Sequence, residues 1–182
     1  IDEVLAGFGE GDLLVLQNEV ACVDYAILQA KRKGMTIAFN PSPFNSSAQA
    51  CDFKKVDILL VNEVEIAAIA GCENEIEIIA FFQNNYPNLC VAYTKGKQGA
   101  MLLTSTGKIS SEPATDNKPI DTTAAGDTFT GYFLEFYLKT KNAKKSLRIA
   151  NVASGISVTR KGASPSIPYV DEVLAKAASK QG

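Results

Sequence analysis

The sequence predicts an α/β fold with a mostly parallel sheet, because short apolar runs alternate with segments of helical periodicity. A strand of a parallel sheet is buried on both faces and reads as a continuous apolar run, whereas a surface helix repeats apolar residues every three or four positions. No linker, repeat or low-complexity stretch interrupts the 182 residues. We therefore expect one domain, or a piece of a larger one.

Apolar runs predict six strands, of which the first is expected to be buried on both faces. They cover residues 13–16, 36–39, 56–61 and 89–93, followed by a hairpin of 100–104 and 108–111. Helical periodicity predicts a helix with Val20, Val23, Ile27 and Ala30 on one face, then helices over 62–71 and 75–84. Two further helices follow, one with five aromatic residues on one face (129–137) and one with an aliphatic face (149–156), before a last helix over 169–180. In such sheets, ligands bind beyond the carboxyl ends of the strands.

Charge and composition narrow the possible functions. Lys and Arg number 18 against 20 Asp and Glu, for a net charge of −2, and no basic block suggests a nucleic-acid surface. The absence of histidine excludes Ser-His-Asp and Cys-His catalysis in this chain. No apolar run reaches the roughly 20 residues of a membrane span. The chain starts Ile1-Asp2-Glu3, with neither a methionine nor a signal peptide, so we expect it to begin partway through a longer gene product.

The four cysteines are predicted to be buried thiols in a reducing compartment. Cys22, Cys51, Cys72 and Cys90 form no C-x-x-C pair, and each lies in or beside an apolar segment. A disulfide framework or a metal site is the alternative interpretation.

The most informative motif is the stretch DTTAAGDTF at residues 121–129. Small residues occur where a helix is predicted to begin, and the backbone amides at such a terminus bind anions. An ionised Asp127 beside these amides could take the proton of a hydroxyl while the amides stabilise charge on a transferred phosphoryl group. The alternative is structural: Thr122 or Thr123 caps the helix and Asp127 complements its dipole. The residues alone leave both interpretations open.

Two further motifs follow predicted strands. Asn62-Glu63-Val64-Glu65 could contact a nucleotide, but Asn-x-x-Glu is also a capping-box pattern, and that interpretation is favoured. The glycine-rich segment 94–99 lacks the Walker A spacing, so by itself a plain turn is the better interpretation. Both motifs gain weight because they end strands of the same predicted sheet.

The residues also carry a family resemblance. Residues 121–129, with Gly131 beyond them, closely resemble the signature of the ribokinase-like (PfkB-type) carbohydrate kinases, and the segment TRKGASPSIP at 159–168 is similar to that family too. The similarity extends over essentially the whole chain. It implies a Rossmann-like αβα sandwich in which residues 1–182 are the C-terminal part of a single kinase domain. The N-terminal part, with the lid and most sugar contacts, would be missing.

The resemblance implies ATP-dependent phosphorylation of a sugar primary hydroxyl, with D-ribose as the favoured acceptor. Another family activity, on fructose or deoxyribose, and a nucleotide-binding fragment without turnover are the alternatives. Asp127 would be the general base beside an anion hole of Ala124, Ala125 and Gly126, and Glu19 would bind sugar hydroxyls. The implied ATP contacts are Asn62, Thr94, Lys95, Gly96, Lys97, Gln98, Gly99, Gly126 and Asn151.

Two cations are implied as well. Glu65 would organise the water shell of Mg²⁺. A K⁺ site, built largely from backbone carbonyls, would involve Asp121, Thr123, Ser157, Arg160, Gly162 and Ser166. For Ser157 and Arg160 the alternative is a solvated helix end. We expect a cytoplasmic protein that is a homodimer at full length, binds sugar and ATP but no nucleic acid or membrane, and is inactive as this chain alone.

Overall fold

Six strands form one sheet, whose order follows the chain from β1 to β6. The structure is a computed structural model that describes residues 1–179. The strands are β1 (Leu13–Gln17), β2 (Thr36–Asn40), β3 (Ile58–Asn62), β4 (Cys90–Thr94), β5 (Ala100–Leu103) and β6 (Ile109–Glu112). All six lie within two residues of their predicted positions, so the α/β prediction is confirmed.

The described residues also form eight α-helices and three short 3-10 helices. The α-helices are α1 (Asp2–Leu5), α2 (Val23–Arg32), α3 (Ser46–Gln49), α4 (Glu63–Ala70), α5 (Glu75–Asn85), α6 (Ala125–Thr140), α7 (Ala143–Ser157) and α8 (Val170–Ser179). The 3-10 helices are Phe53–Lys55, Gly96–Gln98 and Ser164–Ser166. The helix that was predicted to include Val20 is α2, which begins three residues later, at Val23. Val20 lies outside it and is exposed. Lys180, the predicted end of the last helix, lies outside the described residues.

The chain divides into two compact units. The first, residues 1–94 and 103–109, contains β1 to β4, which pair in parallel. Gln17 is paired in register with Asn40, and Asn62 with Thr94, so strand ends lie side by side at the carboxyl edge. Phe39, Leu59 and Phe82 are buried in this unit's core. Helix α4 begins at Asn62 and ends where Gly71 takes a left-handed conformation with φ 71°, as predicted.

Strand β1 differs from its prediction in burial. Val15, at its centre, is 46% exposed, and the other four residues are only partly buried. β1 stands at the end of the strand order and has β2 as its one neighbour among the described strands. The apolar run of β1 is therefore not buried on both faces among the described residues, where β1 forms one edge of the sheet.

The second unit, residues 95–102 and 110–182, is dominated by packing between α6 and α7. The aromatic residues of α6 stack in two rows: Phe129, Phe133 and Tyr137 form one, and Tyr132 and Phe136 form the other. The first row is buried, and the second packs against a cluster of α7 and α8 side chains. The strand pair β5 and β6 confirms the predicted hairpin.

The cysteines agree only in part with the prediction. Cys51 is buried, and its burial raises the pKa of the thiol. Cys72 and Cys90 are partly buried, whereas Cys22 is exposed just before α2. The prediction that all four are buried was wrong. Apolar neighbours in the sequence do not determine whether a residue at the start of a helix, such as Cys22, faces the core or the solvent.

Candidate functional site

In the first unit, polar side chains gather where the parallel strands end. Asn62 closes β3 and Thr94 closes β4, and the two are register partners. The Thr94 hydroxyl donates a hydrogen bond to the Val61 carbonyl at 3.3 Å. The structure therefore brings together two of the predicted ATP-contacting residues at the edge of the sheet where ligands of such folds bind.

Asn62 and Glu65 form a complete capping box at the start of α4. The Asn62 Oδ1 accepts from the amides of Val64 and Glu65, both at 2.9 Å, and the Glu65 Oε2 accepts from the Asn62 amide at 3.1 Å. The Ser42 hydroxyl donates to the other carboxylate oxygen, Oε1. Glu65 is only 7% exposed. The capping-box interpretation is confirmed, and a role for Glu65 beside Mg²⁺ stays a prediction.

Glu19 lies just beyond β1 and is exposed. The preceding residue, Asn18, is buried and was missed by the sequence reasoning. Its Nδ2 donates to the Pro43 carbonyl at 2.7 Å and to the Asn45 Oδ1 at 2.9 Å. Asn18 thereby ties the chain after β1 to the loop after β2. An asparagine directly after a strand was the signal that could have found it.

The turn after β4 depends on its glycines. A hydrogen bond from the Lys95 amide to the Gly99 carbonyl, at 2.8 Å, closes the turn around its short 3-10 helix. Gly96 and Gly99 have φ of 51° and 99°. A Cβ at residue 99 would lie 2.1 Å from the Glu112 carbonyl oxygen, so that position requires glycine for close backbone approach. Lys97 and Gln98 are exposed beside it, and their contacts with ATP stay predictions.

In the second unit, α6 begins without a side-chain cap. Its N-cap is Ala124, in a left-handed conformation with φ 58°, and this residue makes no side-chain cap hydrogen bond. The alternative interpretation, in which Thr122 or Thr123 caps the helix, is therefore wrong. The carbonyl of Thr122 instead accepts from the Ala125 amide at 3.2 Å, which closes a turn ahead of the helix. An amide-lined terminus of this kind is suited to binding an anion.

Asp127 lies in the first turn of α6 and is exposed. A carboxylate there is stabilised by the positive end of the helix dipole. A Cβ at Gly126 would meet no atom within 4 Å, so space is open beside this turn. The Ser154 hydroxyl donates to the Ala125 carbonyl at 3.0 Å and ties the first turn of α6 to α7. The start of α6 thus combines helix amides with an exposed carboxylate.

Asp121 links this turn to the loop after α7. Its Oδ1 accepts from the Thr123 amide and its Oδ2 from the Gly162 amide, both at 2.9 Å. Hydrogen bonds from the Thr123 side chain, then from the Gly162 and Thr123 backbone amides, lower the pKa of this carboxyl to about 2. The structure therefore brings together three of the six residues predicted for the monovalent cation.

The other three residues predicted for that cation use their side chains elsewhere. The hydroxyl of Ser157, a residue with no exposed surface, donates to the Ser154 carbonyl at 2.8 Å. The Ser166 hydroxyl, equally buried, donates to the Ala163 carbonyl at 2.7 Å, and Arg160 pairs with Glu172 at 2.5 Å. The solvated-end alternative is therefore wrong for Ser157. Within residues 1–179, no group of three or more Cys, Asp or Glu side chains could hold a metal ion.

Asn151 lies on α7 and is largely buried. Its Nδ2 donates to the carbonyls of Glu112 and Pro113, at 2.9 and 3.0 Å. It also lines a groove of about 940 Å³ in the second unit, with Lys145 and Arg148 among the other lining residues. Sequence reasoning did not single out these two cations, although three basic residues among the first six of α7 were a visible signal.

Comparison with known proteins settles the family. The model of the pfkB family of carbohydrate kinases matches residues 4–169. The chain belongs to this family. Similar curated relatives are the ribokinase of Haemophilus influenzae, 32% identical over 93% of this chain and 56% of its own length, and the ribokinase of Schizosaccharomyces pombe, 32% identical over 89% and 54%. The chain thus spans just over half the length of these relatives.

Solved structures of the family have the same fold. The Thermotoga maritima ribokinase matches with a TM-score of 0.75 at 33% identity, over 90% of this chain and 56% of its own. The ribokinase of Cryptococcus neoformans var. grubii in complex with ADP matches with a TM-score of 0.78 at 28% identity, over 94% and 62%. The ribokinase-like prediction is therefore confirmed for this pfkB-family chain. None of the helices in residues 1–179 is both long and apolar enough to cross a bilayer.

Proposed function

We propose that the protein carrying this chain transfers a phosphoryl group from ATP to a sugar primary hydroxyl, with D-ribose as the acceptor and ribose 5-phosphate as the product. The observation that carries the proposal is the start of α6, where amides without a side-chain cap stand beside the Asp127 carboxylate. Ribokinases among the relatives, at 32% identity, support ribose as the substrate.

Asp127 acts as the general base in this proposal and accepts the proton of the attacking hydroxyl. The amides within residues 124–127, apart from that of Ala125, which already donates to the Thr122 carbonyl, stabilise the negative charge that develops on the transferred group, as donors in anion holes do. Asn62, the turn at 94–99 and Asn151 bind ATP, and Glu19 binds sugar hydroxyls. ADP in the Cryptococcus neoformans ribokinase supports a nucleotide site in this family.

The donor sets fit both proposed cations. Mg²⁺ keeps several of its waters when it binds with substrate phosphates in phosphoryl-transfer enzymes, and the Glu65 carboxylate would orient that water shell. K⁺ is bound by carbonyl oxygens that replace its water, and the loop at 160–166 offers carbonyls near the ionised Asp121. Mg²⁺ would neutralise phosphate charge, and K⁺ would order the turn before α6. A cytoplasmic homodimer is part of the same proposal.

Asp127→Asn is the direct test. It should lower kcat by about 10²–10⁴-fold, the usual contribution of a general base, while the KM for ATP stays within about twofold. The assay is coupled ADP release with ribose, in the natural protein that carries these 182 residues. Asp171→Asn is the matched control, because Asp171 is also exposed in the first turn of a helix, α8.

The same assay separates the alternatives. Greater turnover with fructose or deoxyribose than with ribose would identify another family activity, for which the Salmonella typhi deoxyribokinase, 28% identical, is a precedent. ATP binding without ADP release for any sugar would favour a nucleotide-binding protein without turnover. Near wild-type turnover by Asp127→Asn would show that Asp127 is not the base.

A further inference from the structure

Residues 113–121, the first part of the chain between β6 and α6, contain no helix or strand, yet they lead directly into the turn that carries the proposed chemistry. We call this part the connecting segment. It ends at Asp121, whose carboxylate accepts from the Thr123 amide ahead of α6. The position of the anion-binding turn therefore depends on what holds this segment in place.

One face of α7 holds the connecting segment at three points. Asn151 donates to the carbonyls at the start, of Glu112 and Pro113. The Gly155 carbonyl accepts from the side chain of Asn117, in the middle of the segment. The Val158 carbonyl, just past the end of α7, accepts from the amides of residues 120 and 121, at 2.7 and 3.1 Å. Positions 151, 155 and 158 are spaced i, i+4 and i+7, so they lie on one face of a helix.

Asn117 makes the middle contact. Its Nδ2 donates to the Gly155 carbonyl and to the Thr115 Oγ1, both at 2.7 Å. Its Oδ1 accepts from the Lys176 Nζ of α8 at 3.2 Å. One side chain thus joins the segment to α7 and α8, and both ends of its amide are used.

The approach at this contact is close enough to require glycine on α7. A Cβ at residue 155 would lie 1.7 Å from the Thr115 Oγ1 and 2.6 Å from the Asn117 Nδ2. Such distances are far below van der Waals contact, so any side chain there would displace the segment. Because Ser154 next to it donates to the Ala125 carbonyl, the same turn of α7 also holds the first turn of α6.

We infer that Asn117 is a positioning residue for phosphoryl transfer: it fixes the connecting segment on α7 and thereby the anion-binding turn at 122–127. This inference rests on the proposed function. Loss of the Nδ2 contacts should displace the turn without removing any group that touches substrate. A misplacement of about 1 Å can cost about 100-fold in rate, and such a loss appears in kcat when it affects the transition state alone.

The test uses Asn117→Asp, which keeps the size of the side chain and the acceptor for Lys176 but removes both Nδ2 donations. Asn117→Ala also removes the Nδ2 donations but adds no negative charge, so it separates the two effects of Asn117→Asp. Asn85→Asp is the matched control, because the Asn85 Nδ2 also donates to a backbone carbonyl, that of Phe81 at 2.8 Å, at an exposed helix end. The natural protein that carries these residues is assayed with ATP and ribose.

Both Asn117 variants should lower kcat by about 10–100-fold with the KM for ribose within about twofold, while Asn85→Asp matches the wild type. Hydrogen exchange at the amides of residues 120, 121 and 123 should become at least about 10-fold faster. Unchanged exchange would overturn the inference. So would a lower melting temperature with wild-type kcat, which would show a merely structural contact. A wild-type protein that releases no ADP with any sugar would instead refute the proposed function, and exchange would then decide alone whether Asn117 holds the segment.

Discussion

Gly126 and Gly131 allow stability and chemistry to be separated on a single helix. Both lie in α6, and a Cβ at either would meet no atom within 4 Å. A glycine in a helix costs about 0.5–1 kcal/mol relative to alanine, so Gly126→Ala and Gly131→Ala should each stabilise the fold by up to that amount. For a chain of this size, about 1 kcal/mol corresponds to a rise of about 2–4 °C in Tm.

The two variants should differ in activity. Gly126 contributes its amide to the proposed anion hole, where a phosphate oxygen must approach to about 2.7–3.1 Å. A methyl group on that residue narrows the approach, so kcat should fall by at least about tenfold, toward the 10²–10³-fold cost of losing one such donor. Gly131, further along α6, should keep wild-type kcat when replaced by alanine.

Thermal unfolding and coupled ADP release on the same preparations make the comparison. A decrease of several degrees in Tm for either variant would refute the inference that both positions are open. Wild-type kcat for Gly126→Ala, with the fold intact, would refute the placement of the anion hole at the start of α6.

Three further predictions concern single contacts. The Asp121 carboxyl should titrate near pH 2 by NMR, so its contribution to stability is present above the usual pKa of 3.8 and is lost as the pH falls toward 2. Thr123→Val should raise this pKa, and a wild-type value near 3.8 would contradict the hydrogen bonds described. Gly99→Ala should destabilise the protein by about 2–6 kcal/mol in urea, from φ strain and backbone overlap, and a loss below about 1 kcal/mol would contradict that geometry. Ser42→Ala should cost about 1–3 kcal/mol by the same measurement, because Glu65 loses a donor, and no change would show that the contact contributes nothing.

Local patterns were the predictable part of this fold. The start of α4 at Asn62 and its end at Gly71 follow from side chains that bond their own neighbours, so the sequence contains all the information needed. Strand positions were predictable for a similar reason, because apolar runs bounded by turn residues define them. The family signature at residues 121–129 likewise pointed to Asp127, because its residues are contiguous in the chain.

Contacts between distant residues and unusual backbone conformations were not predictable. The exposure of Val15 depends on the place of β1 in the strand order, which its own residues do not specify. Ala124 takes a left-handed conformation that alanine rarely adopts, so its place as the N-cap of α6 could not be expected from sequence. Asn117 and Gly155 are 38 residues apart, and only the folded chain shows that they meet.

The capping box at Asn62 and Glu65 restricts how this chain can evolve. Glu65 closes the first turn of α4 with the same carboxylate that the family resemblance assigns to the cation. A glutamine could keep the cap and lose the charge, whereas an alanine would lose both, so drift at this position is limited by two separate selection pressures. A lineage that abandoned catalysis but still needed a folded protein would be expected to retain glutamate or glutamine there. Persistence of the residue is therefore weak evidence of retained activity, and Asp127, to which the proposed function assigns the proton transfer, is the more informative marker when descendants of this chain are compared.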